Sequence, residues 1–424
     1  VIIDGTWVRR WKLKSGKRII KSRMCARGCF DPQKDLLATR STTASRLSQR
    51  LLVSTAAVMR EDPESWDVSG AFLKGLTFDR IREILLKQGV KTPARAVVLV
   101  PPWNTWRHLA TVDQQFHVEP WEIPLYGLWC LKPIYGLNDA PVAWQLSLGQ
   151  FLQKQSGHHS KLDDSFHCWK DPKCTPPLLG TLTTHVDDLA IVGTKPFKNQ
   201  LYKAMCAEFG QISRDQLPFM HCGCQYSRTN TGFKIDQSTF AARLKPSDNP
   251  PGEDDRDLTP SELTQFRSVL GGLLWLCSTR LDIIAEVGTL QSVIMKSKVK
   301  HLRQANQLVK KACSPDKVGL GLHYRFFDKD TKFRIQCIHD ASSATKDRSY
   351  AQEGLLVVLM PELDDEILRQ DDITCSSSDV QKLCNYGHLL FAHGGKAKRV
   401  SYSTSHAETL SDRKSTRLNS SHVK

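Results

Sequence analysis

The chain has no apolar run approaching the ~18 residues that a membrane-crossing helix needs, and its N-terminus lacks an apolar signal core. Neither a membrane span nor secretion is expected from it, and an intracellular protein is. The first residue is Val1 rather than Met, which reads as a piece of a longer product. Thirteen cysteines occur without a regular spacing. The nearest approach to a metal cluster is His221, Cys222 and Cys224, with Cys206 as an available fourth ligand, but a lone C-x-C is weaker than the usual zinc spacings. Reduced thiols, buried for structural reasons, are the simpler reading. Acidic residues are scarce at one end: residues 1–60 hold fourteen Lys or Arg against three Asp, an excess of eleven in a chain whose formal charge is +15. A scattered solvated surface would not concentrate charge in this way, so the segment is expected to face phosphates.

What is present is organised around Thr184-His185-Val186-Asp187-Asp188-Leu189-Ala190-Ile191-Val192-Gly193. Two strand-length apolar runs rich in β-branched residues flank an Asp pair, which predicts a β-hairpin with its acids at the turn. Adjacent carboxylates raise each other's pKa unless a cation neutralises both, although Asp-Asp can also be turn chemistry alone. Upstream, Asp67 closes a short apolar segment in Trp66-Asp67-Val68-Ser69-Gly70-Ala71-Phe72-Leu73-Lys74-Gly75. Three convergent carboxylates are what a two-metal phosphoryl-transfer site requires.

These two motifs, with Leu131-Lys132-Pro133-Ile134-Tyr135-Gly136-Leu137-Asn138-Asp139-Ala140-Pro141-Val142-Ala143-Trp144 between them, closely resemble in kind and order the reverse transcriptase of copia-type retrotransposon Pol polyproteins. The resemblance implies an α+β right-hand polymerase of fingers, palm, thumb-like segment and connection, followed by a truncated RNase H-like α/β domain. It implies RNA-directed DNA synthesis on an RNA or DNA template with a primer, from dNTPs, with two Mg2+ ions (Mn2+ possible) held by Asp67, Asp187 and Asp188. It assigns Lys21 and Arg23 to the nucleotide triphosphate, Phe72 to exclusion of a ribose hydroxyl, and Tyr135 and Gly136 to the region beneath template and incoming base. Phe72 can equally be an ordinary core ring. His185 stands where most relatives carry Tyr and is read as an altered primer contact. Asp340 and Glu408 match two acids of the RNase H-like domain, though Ser405 and Glu408 also suit a helix capping box. The third nuclease carboxylate has no counterpart here, so hybrid-directed RNA cleavage is not expected. An inactive, decayed element copy that binds nucleic acid, and an unrelated metal nuclease, are the other classes in play.

Along the chain, the pattern predicts a basic hairpin over residues 1–30, an amphipathic helix from Thr42 to Met59, and a Pro-started helix whose stripe is Trp144, Leu148, Phe151 and Leu152. Residues 1–245 are expected to form fingers, palm and thumb-like region, and the Pro- and acid-rich 246–260 a linker. Residues 261–332 are expected to form a helical connection and 333–411 the RNase H-like part, with strands at Phe333–His339, Gly354–Met360 and Arg399–Ser403. Residues 412–424 read as the translation of a sequencing adapter and are left out of the fold; without them the charge is +12. Other parts of a Pol polyprotein are possible partners.

Overall fold

The computed structural model describes all residues except 15–16, 40, 42, 174–176, 329–330, 343–350, 363–386 and 398–424. Glu408, the strand expected at Arg399–Ser403 and the adapter-like end therefore lie outside the described residues. The fold is mixed α and β, compatible with the α+β expectation, and is built on four sheets among those residues.

The chain opens with the basic hairpin, β1 (Ile2–Lys14) against β2 (Lys17–Ala26), and then forms helix α1 (Arg46–Met59). α1 begins four residues later than its periodicity suggests because Ser45 caps it, its side chain accepting from the Ser48 amide. Its buried face is also broader than the single stripe of an amphipathic helix. Leu52, Val53, Ala56, Ala57 and even Arg50 are buried, since sheets pack on more than one side of the helix. The Arg50 guanidinium donates to the Ser278 carbonyl at 2.9 Å.

Strand β3 (Glu64–Val68) and helix α2 (Phe78–Lys87) follow, then β4 (Val97–Val100), α3 (Trp103–Val112) and β5 (Leu128–Cys130). β4 pairs in parallel with β1 and antiparallel with β5, giving an N-terminal sheet in the order β2-β1-β4-β5. Helix α4 (Ala140–Lys154) has Pro141 in its first turn and buries all four residues of the predicted stripe. Strands β6 (His158–His159), β7 (Phe166–Trp169), β8 (Gly180–His185) and β9 (Asp188–Gly193) lead to α5 (Lys195–Phe209) and β10 (Ile212–Gln216). The central sheet runs β10-β3-β9-β8-β7-β6, with β3 reached from far upstream and inserted between β9 and β10. Beneath it, Glu64 is buried but paired with Lys198 at 3.1 Å and Arg214 at 2.6 Å, which together hold its carboxyl below the usual range despite burial.

A third sheet combines β11 (Phe219–His221), β12 (Cys224–Thr229) and β13 (Gly232–Asp236) with β14 (Gly321–Arg325), which returns after the short helix α6 (Ser238–Ala241) and helices α7 (Pro260–Leu276), α8 (Ile284–Ser292) and α9 (Val299–Ala312). Residues 246–259 have no helix or strand, as the Pro- and acid-rich composition suggests, yet they are strapped to α9. Arg303 donates to Asp254 at 2.6 Å and to the Pro250 and Gly252 carbonyls, and Lys300 pairs with Asp255 at 2.8 Å. The last sheet is antiparallel: β15 (Phe333–Ser342), β16 (Gln352–Pro361) and β17 (His388–Lys396).

β17 docks on α1 through His388. Its Nε2 donates to the Arg325 carbonyl at 2.7 Å, which leaves Nδ1 to accept from Ser54 Oγ at 2.9 Å. The ring is thus neutral, and burial pushes its pKa down to about 4. An unfolded histidine takes up a proton below about 6.5, so between those values the unfolded state binds more protons and stability falls as pH drops. Thermal midpoints at pH 7 and pH 5 should differ by the equivalent of about 2 kcal/mol for this histidine, and His388→Gln should flatten that difference.

Candidate active site

The pairing of β3 with β9 sets the geometry. Asp67 lies directly opposite Asp188, and because paired residues in an antiparallel ladder point to the same face, both carboxylates leave the sheet on one side. The register is fixed from the other side, where Trp66 and Val68 are buried in the core at 0% and 1% exposure. The β8–β9 hairpin closes from His185 to Asp188 with Val186 and Asp187 at its tip. The Asp pair therefore straddles the last pair of the ladder, as the sequence predicts.

Val186 has φ +62°, a left-handed conformation that a β-branched residue adopts only under constraint, at a cost of about 1–3 kcal/mol. The constraint is visible: buried Trp144, on α4, donates its Nε1 hydrogen to the Val186 carbonyl at 2.7 Å. The Ala-Pro-x-Ala-Trp motif thus holds the acidic turn from below, with Trp144 itself wedged edge-on against Phe209 at 5.0 Å. Nothing in the sequence signals this contact, because neither the strained φ nor the partner of an indole can be read from residue types.

Three further predicted residues meet beside the acids. The Arg23 guanidinium lies 4.9 Å over the Tyr135 ring, and Phe72 packs on the same ring at 5.4 Å. The Tyr135 hydroxyl is pushed up chiefly by burial, with the negative charges of Asp187 and Asp67 adding to it and Arg23 opposing. That tyrosine therefore sits in the field of both carboxylates and of the arginine. Lys21 is two residues from Arg23 on the same face of β2 and is exposed. Gly136 has φ +92°, and a Cβ there would stand 2.0 Å from the Ala26 carbonyl. Its close approach is to the end of β2, which fastens the Tyr135 turn to the N-terminal sheet.

His185 is half-buried, with its pKa lowered first by burial, then by Arg46, against an opposing pull from Asp187. Its neighbour His221 is buried and held near 4, and Cys222 is pushed up to about 12 by burial and the charge of Asp188. Among the described residues, no group of three His, Cys, Asp or Glu side chains is gathered tightly enough to hold a metal ion. The donor set of Asp67, Asp187 and Asp188 is nonetheless all hard carboxylate oxygen, supplied by one cross-strand pair and the residue next to it, and suits Mg2+ by type. Asp340 is exposed on β15, opposite Gly354.

In sequence the chain is similar to retrotransposon Pol polyproteins of the copia type. No protein-family model matches the chain. Among curated proteins it is similar to the retrovirus-related Pol polyprotein from transposon RE1 of Arabidopsis thaliana, 22% identical over 377 residues that are 84% of this chain. It is also similar to that from transposon RE2 of the same plant, 23% identical over 379 residues, 85% of this chain. The aligned part is 23% of the length of each relative.

Trp144→Phe keeps an aromatic ring in the core but removes the donor to the Val186 carbonyl and part of the buried indole. It should destabilise the chain by about 1–3 kcal/mol, from the lost part-buried hydrogen bond together with the buried ring volume removed, read as a shift in the chemical-denaturation midpoint.

Proposed function

We propose that the chain is an RNA-directed DNA polymerase, in which the central sheet with α1, α4 and α5 serves as palm and the β1–β2 hairpin as fingers. The observation that carries this reading is the placement of Asp67 opposite Asp188, with Asp187 in the adjoining turn and Tyr135, Phe72 and Arg23 converging beside them. Asp67, Asp187 and Asp188 would hold two Mg2+ ions, which supply charge stabilisation at the attacking and departing oxygens of phosphoryl transfer. The chain's own residues do the positioning. Arg23, already fixed over Tyr135, and Lys21 on the same strand face offer cations to the triphosphate of a dNTP. Phe72 braces Tyr135, so its ring forms a wall where the sugar of that nucleotide would lie. His185, next to the turn, would contact the primer end. Template RNA or DNA would bind mainly through phosphate contacts with the basic N-terminal sheet.

Primer extension tests the reading. Asp67→Asn, Asp187→Asn and Asp188→Asn should each abolish extension while leaving primer–template affinity within about twofold, because phosphate contacts by Lys and Arg carry binding. Extension by Asp187→Asn at the parent's rate would mean the site is misplaced; binding without extension in the parent itself would mark an inactive copy, and primer shortening a nuclease.

Phe72→Val should raise incorporation of ribonucleotides relative to deoxyribonucleotides by roughly tenfold or more, since one steric contact is worth about 1–3 kcal/mol of discrimination. Competition between dNTP and rNTP at single turnover measures it, and unchanged selectivity would leave Phe72 as packing alone.

A further inference from the structure

The N-terminal sheet has a second face. Strand alternation sends Lys21 and Arg23 toward Tyr135, and sends Ser22 and Met24 to the other side. Through the β1–β2 register that other side carries Trp7 opposite Met24, Arg9 opposite Ser22 and Trp11 opposite Ile20. Along β1 it therefore reads Trp-Arg-Trp at every second residue, a spacing of about 6–7 Å. Trp11 is 71% exposed and Arg9 is exposed, and among the described residues neither Arg9 nor the adjacent Arg18 takes part in an ion pair. Trp7 is half-buried on the same face, so an exposed indole and a half-buried one alternate with an exposed cation, an arrangement that suits a flexible polyanion with stackable bases.

The row leads to a cavity of about 780 Å3. Trp7 donates to Thr105 on α3 at 3.1 Å, and its cross-strand partner Met24 lines the cavity wall with Trp106, Phe116, Tyr126 and Trp129. Trp106 is 4% exposed, yet its Nε1 hydrogen has no acceptor. A buried donor without a partner is costly unless something fills the role. The cavity is mostly apolar and aromatic and takes a flat group between its aromatic walls. A nucleobase supplies both a π-face and acceptor atoms.

We propose that this outer face of the N-terminal sheet is a second binding track, for single-stranded nucleic acid, in which bases stack on Trp11 and Trp7, phosphates meet Arg9 and Arg18, and one base enters the Trp106 cavity. It goes beyond the polymerase reading and does not depend on the carboxylate site, from which it is separated by the sheet.

The test uses the full chain and fluorescein-labelled 20-nucleotide oligo(U) and oligo(dT), with a blunt DNA duplex as comparison. Anisotropy titrations should show Trp11→Ala weakening single-strand binding about tenfold or more, as expected for one lost base stack, with duplex affinity changed less than twofold. Trp106→Phe, which removes part of one aromatic wall of the cavity, should weaken single-strand binding severalfold with the far-UV circular dichroism spectrum unchanged. The readout is single-strand affinity and not primer extension, so failure of the polymerase reading and failure of this track are distinguishable. Unchanged single-strand affinity in both tryptophan variants, or an equal loss toward duplex, would overturn the proposal; unchanged affinity would leave the face to a protein partner instead.

Discussion

Everything at the candidate site depends on one register, that of β3 against β9. The side-chain period of a strand is two, so a slip of one residue would turn Trp66 out to solvent and Asp67 into the core. Burying Trp66 and Val68 while exposing Asp67 separates the two alignments by several kcal/mol, since each buried large apolar side chain contributes about 1.5–3 kcal/mol and a buried unpaired carboxylate costs more. The Glu64 carboxylate, clamped by Lys198 and Arg214 at the far end of the same strand, pins the register a second time. Core packing thereby aligns two acids that repel one another.

The hairpin tip depends on a different device. Its left-handed valine is held by the Trp144 indole, so the helix that follows the Tyr135-Gly136 turn carries the orientation of Asp187. The same turn is fastened to β2, where the Ala26 amide donates to the Tyr135 carbonyl at 2.7 Å and Gly136 leaves room for the contact. Basic hairpin, aromatic turn, helix and acidic tip form one mechanical chain.

Much of this was legible in the sequence, and the limits have physical causes. The hairpin over β8 and β9, the basic hairpin and the Trp144–Leu152 stripe follow from periodicity and turn chemistry, which are local. The α1 face was misread because a helix covered by sheets on more than one side, as Arg50 and Leu52 are, has no single stripe. The insertion of β3 between β9 and β10 is non-local, and only the resemblance in motif order anticipated that Asp67 would reach the Asp pair. The Val186 strain, the orphaned Trp106 donor and the strapping of residues 246–259 to α9 leave no trace in composition.

The central claim is that Asp67, Asp187 and Asp188 together form a two-metal site once nucleotide is present. Its most direct test is a Mn2+ titration followed by electron paramagnetic resonance, on the full chain with a dideoxy-terminated primer–template and the next complementary dNTP. Two ions per chain should bind in the parent, with fewer than one in Asp188→Asn under the same conditions. Equal Mn2+ stoichiometry in parent and variant would contradict the account.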